Sequence, residues 1–326
     1  MENFNFIEFH RTRDFSRKLN ATFEFVKQNF KPLGKSVLFI AGPPVLVASL
    51  ASGSFMGDFM SFSVMGDPAR EMGNYFTSVS FWLELLLMLV FFTIGGVMNI
   101  ATVNSYLLLY EKKRSNKIEV SEVWEQVRAT FWMYFSTMFL FSILVIGFMI
   151  AMATPMVLLW DTSPFLVFFL GVICYFGFIY FFFAVAFVFI IRAYEGKTFF
   201  DAIFRSVKLI KDKWWSTFGL LFVLYLIVGM SSYVFLLPWQ VVSGAMALHQ
   251  TSTDTFQEPS TVMQTMTMVV LTLTYLAQTL LTALPNVGTA FQYFNLVELK
   301  EARGLMAQIE TLGQPQSPAS REDEHF

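Results

Sequence analysis

The sequence predicts an all-α fold, a polytopic membrane bundle of six transmembrane helices, and three observations lead to that prediction. Of the 326 residues, 55% are hydrophobic and 14% are charged, whereas soluble domains carry about 25% charged residues. The 40 Phe and 18 Met residues are more than a water-soluble core of this size could bury. Long apolar segments recur along the chain, and basic residues are confined to alternate stretches between them.

The six spans follow from the length of the apolar segments. A helix needs about 20 mostly apolar residues to cross the hydrocarbon core of a bilayer. Several segments exceed that length, so we expect tilt or extension into the interface. Pro43 and Pro44 predict a kink in the first span, because proline cannot donate a backbone hydrogen bond. The predicted spans cover about residues 36–57, 81–109, 132–159, 164–191, 216–245 and 265–295.

The distribution of basic residues predicts the orientation of these spans. Of the 22 Lys and Arg residues, 21 lie in four segments, which are residues 1–35, 110–131, 192–213 and 296–326. The remaining one, Arg70, lies in the opposite set of loops. Because basic loops stay on the cytoplasmic side, we expect both termini to be cytoplasmic.

The segments before the first, third and fifth spans predict amphipathic helices that lie at the membrane interface. When residues 23–33, 124–134 and 207–217 are aligned, apolar residues coincide at positions i, i+3 and i+7. The basic residues Lys27, Arg128 and Lys211 also coincide, and we expect them to contact the lipid bilayer surface or a membrane or cytoplasmic protein partner.

This alignment predicts a threefold repeat of one interfacial helix followed by a helical hairpin. The predicted repeats cover about residues 10–111, 112–195 and 196–312, within a single membrane domain of residues 1–312. The second, fourth and sixth spans each end near a glutamate (Glu111, Glu195 and Glu298), which we expect to be a solvated interfacial charge. Residues 313–326 predict a disordered cytoplasmic tail because they are polar and contain proline.

A polar face shared by the second and sixth spans is the main candidate site. Aligning the two spans superimposes Asn99 on Asn286, Thr102 on Thr289 and Tyr106 on Tyr293. The spacing i, i+3, i+7 places the three residues on one side of each helix. Asn99 lies about ten residues, or roughly 15 Å, from the predicted end of its span, which is close to the middle of the bilayer.

Two interpretations of this face stay open. The side chains could hydrogen-bond across a contact between the two spans, because an unpartnered amide in lipid costs several kcal/mol. Alternatively, they could line a polar cavity for a lipid headgroup or small solute. Such a cavity would extend to Gln278, Thr282, Asn104, Gln292 and Asn295.

The chemistry of catalysis is sparse in this chain. Its three histidines lie outside the predicted spans, and Cys174 is the only cysteine. The sequence contains neither a GxxxxGK[ST] nor a GxSxG motif. We therefore expect no enzymatic activity, no metal or other cofactor, and no nucleic-acid partner.

The segment "YEGKTFFDAIFRSVKLIKDKWWSTFGLLFVL", residues 194–224, carries a family resemblance. Its pattern A-x-x-x-S-x-x-L-x-K-x-x-W is formed by Ala202, Ser206, Leu209, Lys211 and Trp214. It resembles a six-span bacterial membrane family that includes the membrane domain attached to some glycerophosphodiester phosphodiesterases. The resemblance extends over roughly residues 10–312 and implies a bacterial cytoplasmic membrane protein. It implies no enzymatic activity, because in that family the catalytic unit is a separate soluble barrel.

Two functions are compatible with these patterns. The first is a nonenzymatic scaffold or accessory subunit that holds partners through its cytoplasmic interfacial helices. The second is a lipid or small-solute binder or transporter that uses the polar face of the second and sixth spans.

Overall fold

The computed structural model describes residues 5–62, 68–253, 261–302 and Met306, and within these ranges the protein is helical with no β-strand. The predicted tail, residues 313–326, lies outside the described residues, as do parts of two predicted loops. The helices are α1 (Phe15–Gln28), α2 (Phe30–Ile40), α3 (Gly42–Phe62), α4 (Pro68–Thr77), α5 (Val79–Lys113), α6 (Val120–Leu158), α7 (Pro164–Ala184), α8 (Val188–Glu195), α9 (Phe199–Ile210), α10 (Trp214–Thr253), α11 (Thr261–Leu281) and α12 (Ala283–Glu301).

The length and apolar character of these helices confirm a multi-pass membrane protein. Five segments of the described chain are long and apolar enough to cross a bilayer: Val79–Lys113, Val120–Leu158, Pro164–Glu195, Trp214–Val241 and Gln264–Glu301. A sixth span exists if the bent pair Phe30–Ile40 and Gly42–Phe59 is counted as one. The predicted number of six therefore depends on this first, broken span.

The kink predicted in the first span is confirmed. The helices α2 and α3 meet at Ala41 with a bend of 58°. Pro43 and Pro44 follow directly, and neither has an N–H to donate to the carbonyl four residues earlier. The helix consequently breaks at Ala41, within the first half of the predicted span 36–57.

Two later spans are also interrupted, one between α7 and α8 and the other between α11 and α12. Between α7 and α8, the hydroxyl of Ser206 donates to the carbonyl of Ala184 at 2.8 Å and accepts from the Phe187 N–H at 3.3 Å. Between α11 and α12, Pro285 lies in the first turn of the new helix, where proline is tolerated.

The three predicted interfacial segments differ in how they join their spans. In the first, α1 ends at Gln28, and the side chain of the next residue, Asn29, donates to the carbonyl of Phe25 at 2.9 Å and so occupies a backbone acceptor. In the third, α9 ends at Ile210 before α10 begins at Trp214. The second continues into its span as the 39-residue helix α6, because no helix-breaking residue separates Arg128 from the apolar segment.

Ion pairs and hydrogen bonds bring the four basic segments of the sequence together at one end of the molecule, which we call the basic end. His10 lies 3.3 Å from Glu111, Lys300 lies 3.3 Å from Asp212, and Arg205 pairs with Glu301. The buried core is concentrated in this half of the bundle. It centres on α12 and on the second half of α5, in which every residue from Ala101 to Leu107 is buried.

Candidate functional site

The two asparagines that the sequence aligned are in direct contact in the structure. The side-chain amide of Asn286 donates to the Oδ1 atom of Asn99 at 3.1 Å. Asn99 in turn donates to the carbonyl of Thr279 at 2.7 Å, close to the end of α11. Asn99 therefore satisfies both a side chain and a helix-end carbonyl, as the interhelical interpretation requires.

The same asparagines also line a pair of adjoining cavities, which we call the amide groove. The first cavity, of about 410 Å³, lies among α3, α5, α10, α11 and α12. The second, of about 200 Å³, lies among α5, α6, α7, α8, α10 and α12. The cavities share the lining residues Ile100, Tyr225 and Asn286. The first is within the range of about 300–1,000 Å³ that is usual for ligand sites.

More hydrogen-bonding side chains surround the first cavity than the second, although apolar atoms form most of the surface of both. It contains amide, hydroxyl and phenol groups from Asn99, Gln278, Thr279, Thr282, Asn286, Tyr225 and Tyr275. The second is mostly apolar and aromatic, with Asn104, Asn286 and Thr289 as its amide and threonine members. Gln278, Thr282 and Asn104 had been predicted as extensions of the site, and all three line the groove.

Other predicted members of the polar face are directed elsewhere. Tyr106 donates its hydroxyl proton to Oδ1 of Asn29 at 2.9 Å, and Tyr293 donates to Oε1 of Glu195 at 2.8 Å. Thr102 is fully buried, and its hydroxyl has no hydrogen-bond partner among the described residues. Neither tyrosine lines the groove, because seven residues, or about 10 Å along a helix, separate each of them from its asparagine.

Thr289 lines the second cavity, but its hydroxyl donates to the carbonyl of Pro285 in its own helix at 2.7 Å. Gln292 and Asn295, the two remaining predicted extensions, lie nearer the basic end. Oδ1 of Asn295 accepts a hydrogen bond from the backbone N–H of Arg13 at 2.6 Å.

A buried lysine that the sequence patterns did not indicate joins α1 to α10 and α12. Lys18 of α1 is 2% exposed and donates to Oε1 of Gln292 at 2.7 Å and to the hydroxyl of Ser216 at 2.8 Å. Gln292 donates in turn to the hydroxyl of Thr217 at 2.8 Å. Periodicity could have indicated this position, because Lys18 shares a helix face with Thr22 and Phe25.

Glu195 departs from the expectation that the glutamates at the ends of the second, fourth and sixth spans are solvated. Only 7% of its side chain is exposed, and Arg205 donates to it from Nη2 at 3.0 Å and from Nε at 3.2 Å. Arg205 also binds Glu301, and these hydrogen bonds, that to Glu301 first, raise the pKa of the Arg205 guanidinium despite its partial burial. The cluster joins α8, α9 and α12 and leaves no free charge that would suit a ligand site.

The three basic residues of the interfacial segments are exposed. Lys27, Arg128 and Lys211 all lie on the surface. Large apolar side chains are exposed on the same segments, among them Phe23, Phe30, Trp124, Phe204 and Val207. Exposed aromatic groups beside basic groups are typical of helices that lie on a membrane surface.

No protein-family model, curated protein or solved structure matches the chain. The resemblance to the membrane domain of glycerophosphodiester phosphodiesterases stays a prediction from the motif in residues 194–224.

Proposed function

We propose that this protein is a nonenzymatic membrane protein that binds a lipid or small solute in the amide groove. One observation carries the proposal: hydrogen-bonding groups line a cavity of about 410 Å³ beside an interruption in a membrane-spanning segment. Polar groups at membrane depth are costly unless a partner satisfies them. The described residues that line the groove include no carboxylate, imidazole or amine, which favours binding over catalysis.

We further propose that the basic end faces the cytoplasm and that the protein resides in a bacterial cytoplasmic membrane. The positive-inside distribution supports this orientation. Burial at repeat-related positions supports the threefold repeat. Thr22, Val123 and Ser206 are equivalent in the alignment and all fully buried, and Leu33, Tyr134 and Thr217 are equivalent and at most 3% exposed.

Native mass spectrometry of the full-length protein, extracted gently from its own membrane, tests the binding proposal. We expect a reproducible extra mass of lipid or metabolite size on the wild-type chain. The double variant Asn99→Ala/Asn286→Ala should lose that mass. Thr102→Val is the matched control, because Thr102 lies one turn from Asn99 but does not line the groove.

The unfolding midpoint of each variant separates the two interpretations of the asparagine pair. If the pair only joins two spans, the double variant loses stability and the wild type carries no ligand. If the groove binds a ligand, the mass disappears while the stability of the ligand-free protein changes by no more than the 0.6–1.7 kcal/mol typical of such bonds.

A scaffold function is the second candidate, and the exposed aromatic and basic residues of the interfacial segments support it. A triple variant that combines Lys27→Glu, Arg128→Glu and Lys211→Glu should release a polypeptide partner or bind anionic lipid more weakly. Co-purification from the native membrane, followed by binding to vesicles with and without anionic lipid, distinguishes these outcomes. Neither measurement should depend on Asn99 or Asn286.

A further inference from the structure

The groove contains more hydrogen-bonding capacity than the protein uses. Within the described chain, the side chains of Tyr225, Tyr275 and Gln278 line the first cavity and make no hydrogen bond to protein. Asn286 uses its amide N–H on Asn99, but its Oδ1 atom accepts no hydrogen bond from a described residue. In a membrane such groups need water or a ligand, because burial without a partner costs several kcal/mol each.

The lining of the groove has no formal charge. None of the described residues around either cavity is Asp, Glu, Lys, Arg or His. The nearest electrostatic feature is the start of α12, since Thr282, Pro285 and Asn286 contribute to the first cavity. A helix N-terminus stabilises a negative charge by about 0.3–1 kcal/mol, and at most about 2.

These magnitudes decide between a charged and an uncharged ligand. Desolvating a phosphate or carboxylate costs several kcal/mol, which normally requires a paired cation. The helix terminus alone is too weak to offset that cost. It is sufficient to orient a hydroxyl or carbonyl oxygen, for which the amides and phenols supply donors and acceptors.

The second cavity supplies an environment for an apolar chain. Its lining includes the apolar side chains of Phe141, Phe182, Phe189, Met138, Leu221 and Val185, and it adjoins the first cavity at Tyr225 and Asn286. One ligand could therefore place an oxygen-bearing head in the first cavity and a hydrocarbon chain in the second.

Access to the groove comes from the side of the bundle. Towards the basic end, Phe187, Thr217 and Gln292 are fully buried. At the level of the groove, Tyr225 is 44% exposed and Gln278 is also exposed. A ligand dissolved in the bilayer reaches these groups without crossing the polar layer around Lys18.

We propose that the amide groove takes an uncharged membrane lipid whose head carries hydroxyl or carbonyl groups. This inference rests on the proposed binding function and narrows its ligand class. Diacylglycerol and phosphatidic acid with identical acyl chains are matched probes, because they differ only by a charged phosphate.

The test offers dioleoylglycerol or dioleoyl phosphatidic acid to the delipidated full-length protein and measures the retained lipid by native mass spectrometry. We expect at least tenfold greater retention of dioleoylglycerol, reduced at least fivefold by Gln278→Leu and unchanged by Thr102→Val. Gln278→Leu should fold normally, because the side chain of Gln278 is exposed and makes no hydrogen bond within the described chain.

Gln278→Lys provides a charge test at the same position. It places one cation at the rim of the groove, so retention should shift towards phosphatidic acid. The opposite outcome is that the wild type retains more phosphatidic acid than dioleoylglycerol and that Gln278→Leu loses this retention. That result would overturn the proposal of an uncharged ligand but would leave the binding function intact. Equal retention by the wild type and both the Gln278→Leu and Asn99→Ala/Asn286→Ala variants would overturn both proposals.

Discussion

Lys18 is a lysine buried among neutral hydrogen-bonding groups. Its ammonium group contacts Gln292 and Ser216, and no carboxylate forms an ion pair with it in the described chain. Burial lowers the pKa of Lys18 to about 8, with the charge of Lys213 acting in the same direction and that of Asp14 opposing it. The protonated side chain is therefore less favourable in the folded protein than in the unfolded chain, where the pKa is about 10.4.

This pKa predicts how stability depends on pH. Below pH 8 both states are protonated and the fold bears the full cost of the buried charge. Between about pH 8 and 10.4 the unfolded state binds more protons, so stability rises with pH, by up to about 3 kcal/mol. Lys18→Met should abolish this rise, which unfolding in detergent at pH 7 and pH 10 would measure.

Lys27→Met, on an exposed position of the same helix, is the control and should keep the wild-type pH dependence. A constant stability difference between the wild type and Lys18→Met across this range would show that Lys18 has an ordinary pKa.

At the residue scale, aligning two spans indicates which residues lie at the same depth but not which of them contact each other. Alignment of the second and sixth spans placed Asn99 and Asn286 at one level, and they hydrogen-bond. The same alignment placed Tyr106 beside Tyr293, but each reaches a neighbour from another helix. The partner of Lys18 is 274 residues away in sequence, and a single sequence carries no signal for such a pair.

At the scale of elements, the segment before α1 packs as a strap across the basic end. The backbone N–H of Ile7 donates to the hydroxyl of Tyr110 at 3.0 Å, and Phe9 is 3% exposed. The Phe9 ring stacks on Phe294 with a centroid distance of 5.2 Å and meets Phe291 edge-on at 5.5 Å. The sequence predicts that residues 1–35 are basic and cytoplasmic, but it does not predict this packing of the strap.

The packing of the strap predicts that Phe9→Ala destabilises the protein by about 3–5 kcal/mol, the usual cost of removing a buried phenylalanine. Glu8→Ala, on the neighbouring exposed residue, should change stability by less than about 0.5 kcal/mol. Chemical unfolding in detergent measures both. Equal, small effects would mean that the strap is not packed in the membrane-embedded protein.

Close contact between α3 and α11 gives a second prediction for elements. A Cβ atom added to Gly53 would lie 2.6 Å from Cγ and 3.0 Å from Cα of Met268. Because one of these atoms belongs to the backbone, the helices must separate, and we expect Gly53→Ala to cost about 1–3 kcal/mol.

Gly147 of α6 is the matched control, because an added Cβ atom would meet nothing within 4 Å. Gly147→Ala should be neutral or stabilise by up to about 1 kcal/mol through helix propensity alone. The unfolding midpoint should therefore fall for Gly53→Ala and should not fall for Gly147→Ala. A stabilising Gly53→Ala would show that α3 and α11 pack less closely than in the structure.

At the scale of the whole molecule, composition and span length were enough to predict an all-helical membrane protein. The positions of the helix breaks were only partly predictable. Pro43 and Pro44 indicated the first, whereas the break between α7 and α8 depends on the hydroxyl of Ser206 from another helix. Cavities such as the amide groove arise at such breaks, so their volumes depend on packing that local sequence patterns do not describe.

The proposed orientation of the protein in the membrane can be tested at the two ends of α6. Lys117 and Asp161 are exposed near opposite ends of α6, which spans the membrane only if they lie on different sides. Single cysteines are introduced at each position in a Cys174→Ser background and treated with a membrane-impermeant maleimide in intact cells. We expect Asp161→Cys to react at once and Lys117→Cys to react only after permeabilisation, because the positive-inside rule places the basic end in the cytoplasm. The reverse pattern would invert the orientation, whereas equal labelling of both before permeabilisation would mean that α6 does not cross the bilayer. The interfacial surface of Lys27, Arg128 and Lys211 would then also have to be reassigned.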